Sequence, residues 1–192
     1  MDEIYLRVMA PVIPGSVDAI LKILDERLSR GCKRAHLLLS TPGGSVAHGI
    51  SLANYLRSIP LEIYTYNFGT VDSIGVPVYC SGIRRFCFSQ SRFMIHGVGL
   101  ALTEKQPIDS QFLAQKSREL EVDTLNVASL ISNATRMSTD EVLAAMERQT
   151  ILDAKGAVNC GLAHEILDLR IPVGAAMYAI FSNCSVAEYG TE

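Results

Sequence analysis

A serine, a histidine and two adjacent glycines, each at the end of a different apolar run, are the residues of this chain whose types could do covalent chemistry together. Ser73 lies in GTVDSIG (69–75), where a strand-like run breaks off at Gly69 and a helix-like run resumes just after the serine. Taken alone, a hydroxyl at such a corner is an ordinary helix cap. It is also where a nucleophile elbow exposes its oxygen, although the usual G-x-S-x-G spelling is absent. The amide of Ile74, beside it, is one candidate donor for an oxyanion. His96 closes the strand-like RFMIH and precedes GVG, a place that suits a structural imidazole or a general base. In TPGGS (41–45), Pro42 holds Thr41 extended, and Gly43 and Gly44 leave backbone N–H groups unscreened by side chains. Donors fixed in advance around developing negative charge make an oxyanion hole. Each feature has a plain structural use; jointly they supply nucleophile, base and anion site for acyl transfer.

Those residues need a scaffold that brings strand ends together. Residues 3–9 read as a strand, and Ser16 opens a helix whose apolar stripe is Val17, Ile20, Leu21, Leu24 and Leu28, capped by Gly31. AHLLL (35–39) is a continuous apolar run, as in a strand covered on both faces, and it ends in the glycine turn. A second helix, with Gly49, Leu52, Ala53 and Leu56 on one side, stops before Pro60; LEIYTYN is the third strand, and RRFCF and RFMIH flank the turn SQS. Strand and helix alternate three times, which predicts a mainly parallel sheet with right-handed crossovers, whose carboxyl-end loops converge on one crevice. Further on, residues 108–132 form one long helical pattern, Ser138 and Glu141 make a capping box, residues 153–161 read as helical and AHEILD as a closing strand. The tail from 171 receives no element. Its apolar stretch IPVGAAMYAIF (171–181) is shorter than the ~20 residues of a membrane span, and suits a cover for a neighbour or a core edge.

With 192 residues, 48% hydrophobic and 19% charged, the chain has the makings of one domain with a substantial core. A formal charge of −3 without a Lys/Arg run argues against nucleic acid as a partner. Five cysteines (Cys32, Cys80, Cys87, Cys160, Cys184) without a C-x-x-C pair read as reduced thiols rather than a disulfide or zinc framework. MDEIYLRV has no basic n-region or long apolar h-region, so the cytoplasm is the expected location. No Walker A pattern is present for ATP, and the chemistry sketched above calls for no cofactor and no metal.

LLLSTPGGSVAHGISLANYL, GTVDSIG and CSGIRRFCFSQSRFMIHG, in that order and spacing, resemble the proteolytic subunits of the Clp protease family, ClpP; DAKGAVNCGLAHEIL resembles that family's final helix-turn-strand. The likeness runs over roughly residues 3–168. It implies an α/β fold, a ClpP/crotonase-like spiral of β-β-α units with a protruding strand-helix handle. On that pattern 1–192 is a single domain: head 1–96 and 133–170, handle 97–132, tail 171–192. The resemblance implies a serine endopeptidase that cuts unfolded proteins or peptides inside a homo-oligomeric ring or stacked rings, fed by an AAA+ unfoldase, with Ser73 as nucleophile, His96 as base, and the amides of Gly43 and Ile74 as oxyanion donors. The chain departs from the pattern at the third position. Counting back from Gly161 puts Gln149 where the family has an aspartate. An amide oxygen can accept a hydrogen bond from imidazole but brings no negative charge. Asp153, one turn further on if the segment is helical, is the alternative third member; Asp72 is expected to point elsewhere or to cap a helix. Gln149 thus supports a rival reading, a non-catalytic structural or regulatory ring subunit. A third, a crotonase-like acyl-CoA enzyme, lacks a base and an adenine-binding pattern. The first strand begins at once, so the family's N-terminal gating loops are expected to be short or absent, which weighs against docking of an unfoldase.

Overall fold

The computed structural model describes residues 2–100 and 108–190. The first half alternates as expected: β1 (Glu3–Met9), α1 (Pro14–Ser29), β2 (Arg34–Thr41), α2 (Val46–Ser58), β3 (Glu62–Asp72) and α3 (Gly75–Cys80), followed by β4 (Arg84–Cys87) and β5 (Arg92–Ile95). α4 (Ser110–Ser132), α5 (Thr139–Glu147), β6 (Thr150–Asp153), α6 (Ala154–Asn159) and β7 (Glu165–Ile166) come next. Ser138 and Glu141 close the capping box of α5. The tail from 171 is not structureless: β8 (Met177–Ile180) runs parallel to β1, and β9 (Val186–Tyr189) runs antiparallel to β8. Tyr178, Ala179 and Ile180 are buried in that position, so the apolar tail covers the sheet's own edge.

The sheet runs β6-β5-β3-β2-β1-β8-β9, with β4 paired to β3 and β7 to β4. β3 has two successive partners, because its first part (Tyr64–Asn67) pairs with β4 and its last part (Thr70–Asp72) with β5. Between them the register against β2 slips from Leu39↔Asn67 to Thr41↔Val71. Gly69 sits in the slip, where an added Cβ would lie 3.1 Å from Ser40 Oγ. The strand therefore does not end at Gly69; it bends there and carries on to Asp72. Side-chain alternation sends Ile4, Leu6, Val8, Ala35, Leu37 and Leu39 into the main core. The other face holds a smaller aromatic layer, with His36 stacked on Tyr5 at 4.4 Å. The buried guanidinium of Arg85 donates to the carbonyls of Gly161, Leu162 and Ala134, tying β4 to the second half of the chain.

α4 opens on the Asp109 cap (carboxylate to Phe112 N, 2.7 Å) and buries only Val127, Ala128 and Ile131. Its earlier turns expose Leu113, Val122 and Leu125, each more than half accessible. The strand expected in the handle is not found over Gly97–Leu100, and residues 101–107 lie outside the described residues. No helix among the described residues is long and apolar enough to cross a membrane.

Candidate active site

Ser73 is delivered by the end of β3. Its N–H donates to Met94 O at 2.9 Å, and its carbonyl accepts from Val76 N at 2.9 Å as α3 begins. Between those bonds the serine is forced to φ 58°, a left-handed conformation that L residues adopt at a cost of about 1–2 kcal/mol. The parallel pairing Asp72↔Met94 carries Ser73 alongside Ile95, so His96, the next residue of that strand line, stands one step beyond the serine. Both side chains are half-buried and line one cleft of about 420 Å³ with Pro42, Gly44, Ile74 and Val98. Among the described residues no hydrogen bond joins Ser73 Oγ to the imidazole. Nδ1 of His96 lies 2.8 Å from the carbonyl oxygen of Gly97.

The double-glycine bend packs against the serine. A Cβ on Gly43 (φ 88°) would fall 2.5 Å from Ser73 Cβ, and one on Gly44 (φ 150°) would fall 2.3 Å from Val12 O. Only glycine fits at either position. The Gly43 amide donates to Thr41 Oγ1 at 3.2 Å and its carbonyl accepts from Val12 N at 2.8 Å, so both its polar groups are used within the bend. Of the two glycines, Gly44 is the one that lines the cleft. Among the described residues the amides of Gly44 and Ile74 have no acceptor, which leaves both available to an oxyanion.

The carboxylates named from the sequence are engaged elsewhere. β5 and β6 pair antiparallel from Arg92↔Asp153 to Ile95↔Thr150, so His96 and Gln149 each lie one residue past that end of the ladder, outside the paired strands. Gln149 itself is exposed, holds φ 51° and makes no hydrogen bond to the imidazole among the described residues. Asp153 stands at the opposite end of the ladder, roughly 13 Å from the His96 end at ~3.3 Å per residue, because this segment is a strand and not a helix. Its carboxylate caps α6 through Gly156 N at 2.7 Å. Asp72 is buried and accepts two hydrogen bonds from Arg92, at 3.0 and 3.1 Å.

Other nucleophiles are poorly set for reaction. Burial pushes the thiol of Cys80 up to about 12 and that of Cys87 up to about 11, so both stay protonated at neutral pH. Among the described residues no group of His, Cys, Asp or Glu side chains is arranged to hold a metal ion.

The sequence profile described as Clp protease matches residues 14–170. The chain is 28% identical over 145 residues to the ATP-dependent Clp protease proteolytic subunit 2 of Treponema pallidum, covering 72% of this chain and 68% of that protein. It is 24% identical over 167 residues to the ATP-dependent Clp protease proteolytic subunit of Lactococcus lactis subsp. cremoris (82% and 80% covered), and 28% identical over 145 residues to that of Bdellovibrio bacteriovorus (72% and 66% covered). The chain belongs to the Clp protease family, and its mixed α/β architecture is consistent with the fold of that family.

Proposed function

We propose that this chain is a serine-type peptidase subunit that hydrolyses peptide bonds of unfolded proteins or peptides within a homo-oligomeric chamber. The observation that carries the reading is the left-handed Ser73 at the end of β3, sharing one cleft with His96 and with the free amides of Gly44 and Ile74. The hydroxyl attacks the scissile carbonyl, His96 Nε2 takes its proton and returns it to the leaving amine, and the two amides hold the oxyanion. Water then releases the acyl group by the same route. The cleft, the handle helix α4 and the tail act as parts of one domain. The exposed Leu113, Val122 and Leu125 on α4 suit self-association through that helix, and an AAA+ unfoldase in the cytoplasm is the matching supplier of substrate.

A fluorophosphonate probe tests the nucleophile: the wild-type protein labels and Ser73→Ala does not. Absence of labelling in both, with rings still seen by light scattering, supports the second reading, a non-catalytic ring subunit, which Gln149 favours through its missing charge.

A further inference from the structure

We infer that the backbone carbonyl of Gly97 sets the tautomer of His96, the task a carboxylate performs in a Ser-His-Asp triad, and that the Gln149 side chain has no part in it. The inference rests on the reading of Ser73 and His96 as the reacting pair.

A carbonyl oxygen carries no proton, so across the 2.8 Å contact Nδ1 must be the donor. In the neutral ring the proton is then on Nδ1 and the lone pair on Nε2, which is the arrangement a general base for Ser73 requires. The contact is also held on both sides. Ile95, before the histidine, is fully buried in β5, and Val98, after the glycine, packs on the main core, so the Gly97 carbonyl hangs between two anchored residues. Gly97 needs no unusual conformation, and a Cβ there would meet nothing within 4 Å. The contact is thus a product of the chain path at the end of β5 and not of crowding around Gly97.

Charged groups nearby are occupied or placed otherwise. Asp72 is paired with Arg92, Asp153 caps α6, Arg148 lies in the turn before Gln149, and Lys116, Glu119 and Asp123 of α4 border the neighbouring hollow beside Val98–Leu100. In Ser-His-Asp proteases, replacing the aspartate by its amide lowers kcat by about 10⁴, largely because the ring takes the wrong tautomer. The carbonyl here avoids that loss. It supplies a dipole in place of a full charge, so it stabilises the imidazolium less than a carboxylate does.

Three measurements on the assembled full-length protein test this. First, ¹⁵N-histidine NMR of Ser73→Ala, with His96 assigned by a further His96→Gln change among the four histidines, reads which ring nitrogen is protonated. Protonated Nδ1 is expected; protonated Nε2 overturns the inference. Second, Gln149→Gly removes the side chain while keeping the left-handed backbone, and kcat/KM is expected to fall less than tenfold with the tautomer unchanged. A larger fall, or a proton moved to Nε2, makes Gln149 the anchor. Third, an ester in place of the Gly97–Val98 peptide bond weakens the acceptor. A weaker acceptor favours the imidazolium less, so the acidic limb of the kcat/KM profile is expected to move to lower pH and kcat to fall by about tenfold at unchanged KM. An unchanged profile and kcat refute the role. If the wild-type protein neither labels nor hydrolyses peptides, the peptidase reading fails by itself, while the NMR result still decides the ring anchor.

Discussion

Replacing Ser73 by glycine should stabilise the protein. The serine sits at φ 58°, held by its bonds to Met94 and Val76, and no hydrogen bond of its hydroxyl offsets the conformation among the described residues. A left-handed L residue costs about 1–2 kcal/mol. Glycine removes that cost but loosens the unfolded chain, returning about 0.5–1 kcal/mol. At mid-range values the balance is roughly 0.7 kcal/mol, best read against Ser73→Ala, which also lacks the hydroxyl but keeps the strained backbone. For a domain of this size each kcal/mol moves Tm by about 2–4 °C, so Ser73→Gly should melt roughly 1–3 °C above Ser73→Ala. Because assembly adds to apparent stability, the two variants must be compared at one protein concentration with the same oligomer seen by light scattering. Calorimetry is the assay, and fluorophosphonate labelling should be absent from both. A glycine variant melting at or below the alanine variant would refute the idea that strain is stored at Ser73.

Gly44→Ala places a methyl 2.3 Å from Val12 O, which forces the bend and its amide out of place. A fall in kcat of about 10²–10³, the usual cost of one lost oxyanion donor, is expected in peptide hydrolysis, and retention of full activity would remove Gly44 from the site. His36 gives a pH signature. Burial lowers its pKa below the ordinary value, so the unfolded chain takes up a proton before the folded one as pH falls below about 6.5, and stability declines with acidification. His36→Phe keeps the ring stacked on Tyr5 and should flatten the fall in urea midpoint between about pH 7.5 and 5.5. His164, shifted the same way by burial and by Arg85 and Arg84, leaves a residual slope. An identical slope in the variant would mean that burial of His36 is not its source.

Much of the scaffold could be read from the chain because burial imposes period and punctuation. The apolar runs of β1 and β2, the stripe of α1 and the Ser138–Glu141 box of α5 each carry a local signal that tertiary structure leaves unchanged. Gly69 misled because glycine marks both strand ends and bulges, and only the partner strands decide which. β8 and β9 escaped notice because four-residue strands in an apolar tail have too little alternation to stand out. At the site, Ser73, His96 and the double glycine were legible as residue types. That the Gly43 amide is spent on the Thr41 hydroxyl is a contact within the bend, which no spacing rule reveals. The helical turn that would bring Asp153 towards His96 does not form, because Thr150–Asp153 is extended. The Gly97 carbonyl leaves no trace in a sequence at all, since every residue has one.

β1 lies between β2 and β8, with Tyr5 aligned to Met177. One flank of the first strand is therefore finished only once Met177–Ile180 have been made. At about 5–20 residues per second the growing polypeptide spends roughly 10–30 s with that flank bare, able to pair with a sister chain emerging nearby. Until those residues are made, β1 carries an open strand edge on which a sister chain competes with the chain's own tail.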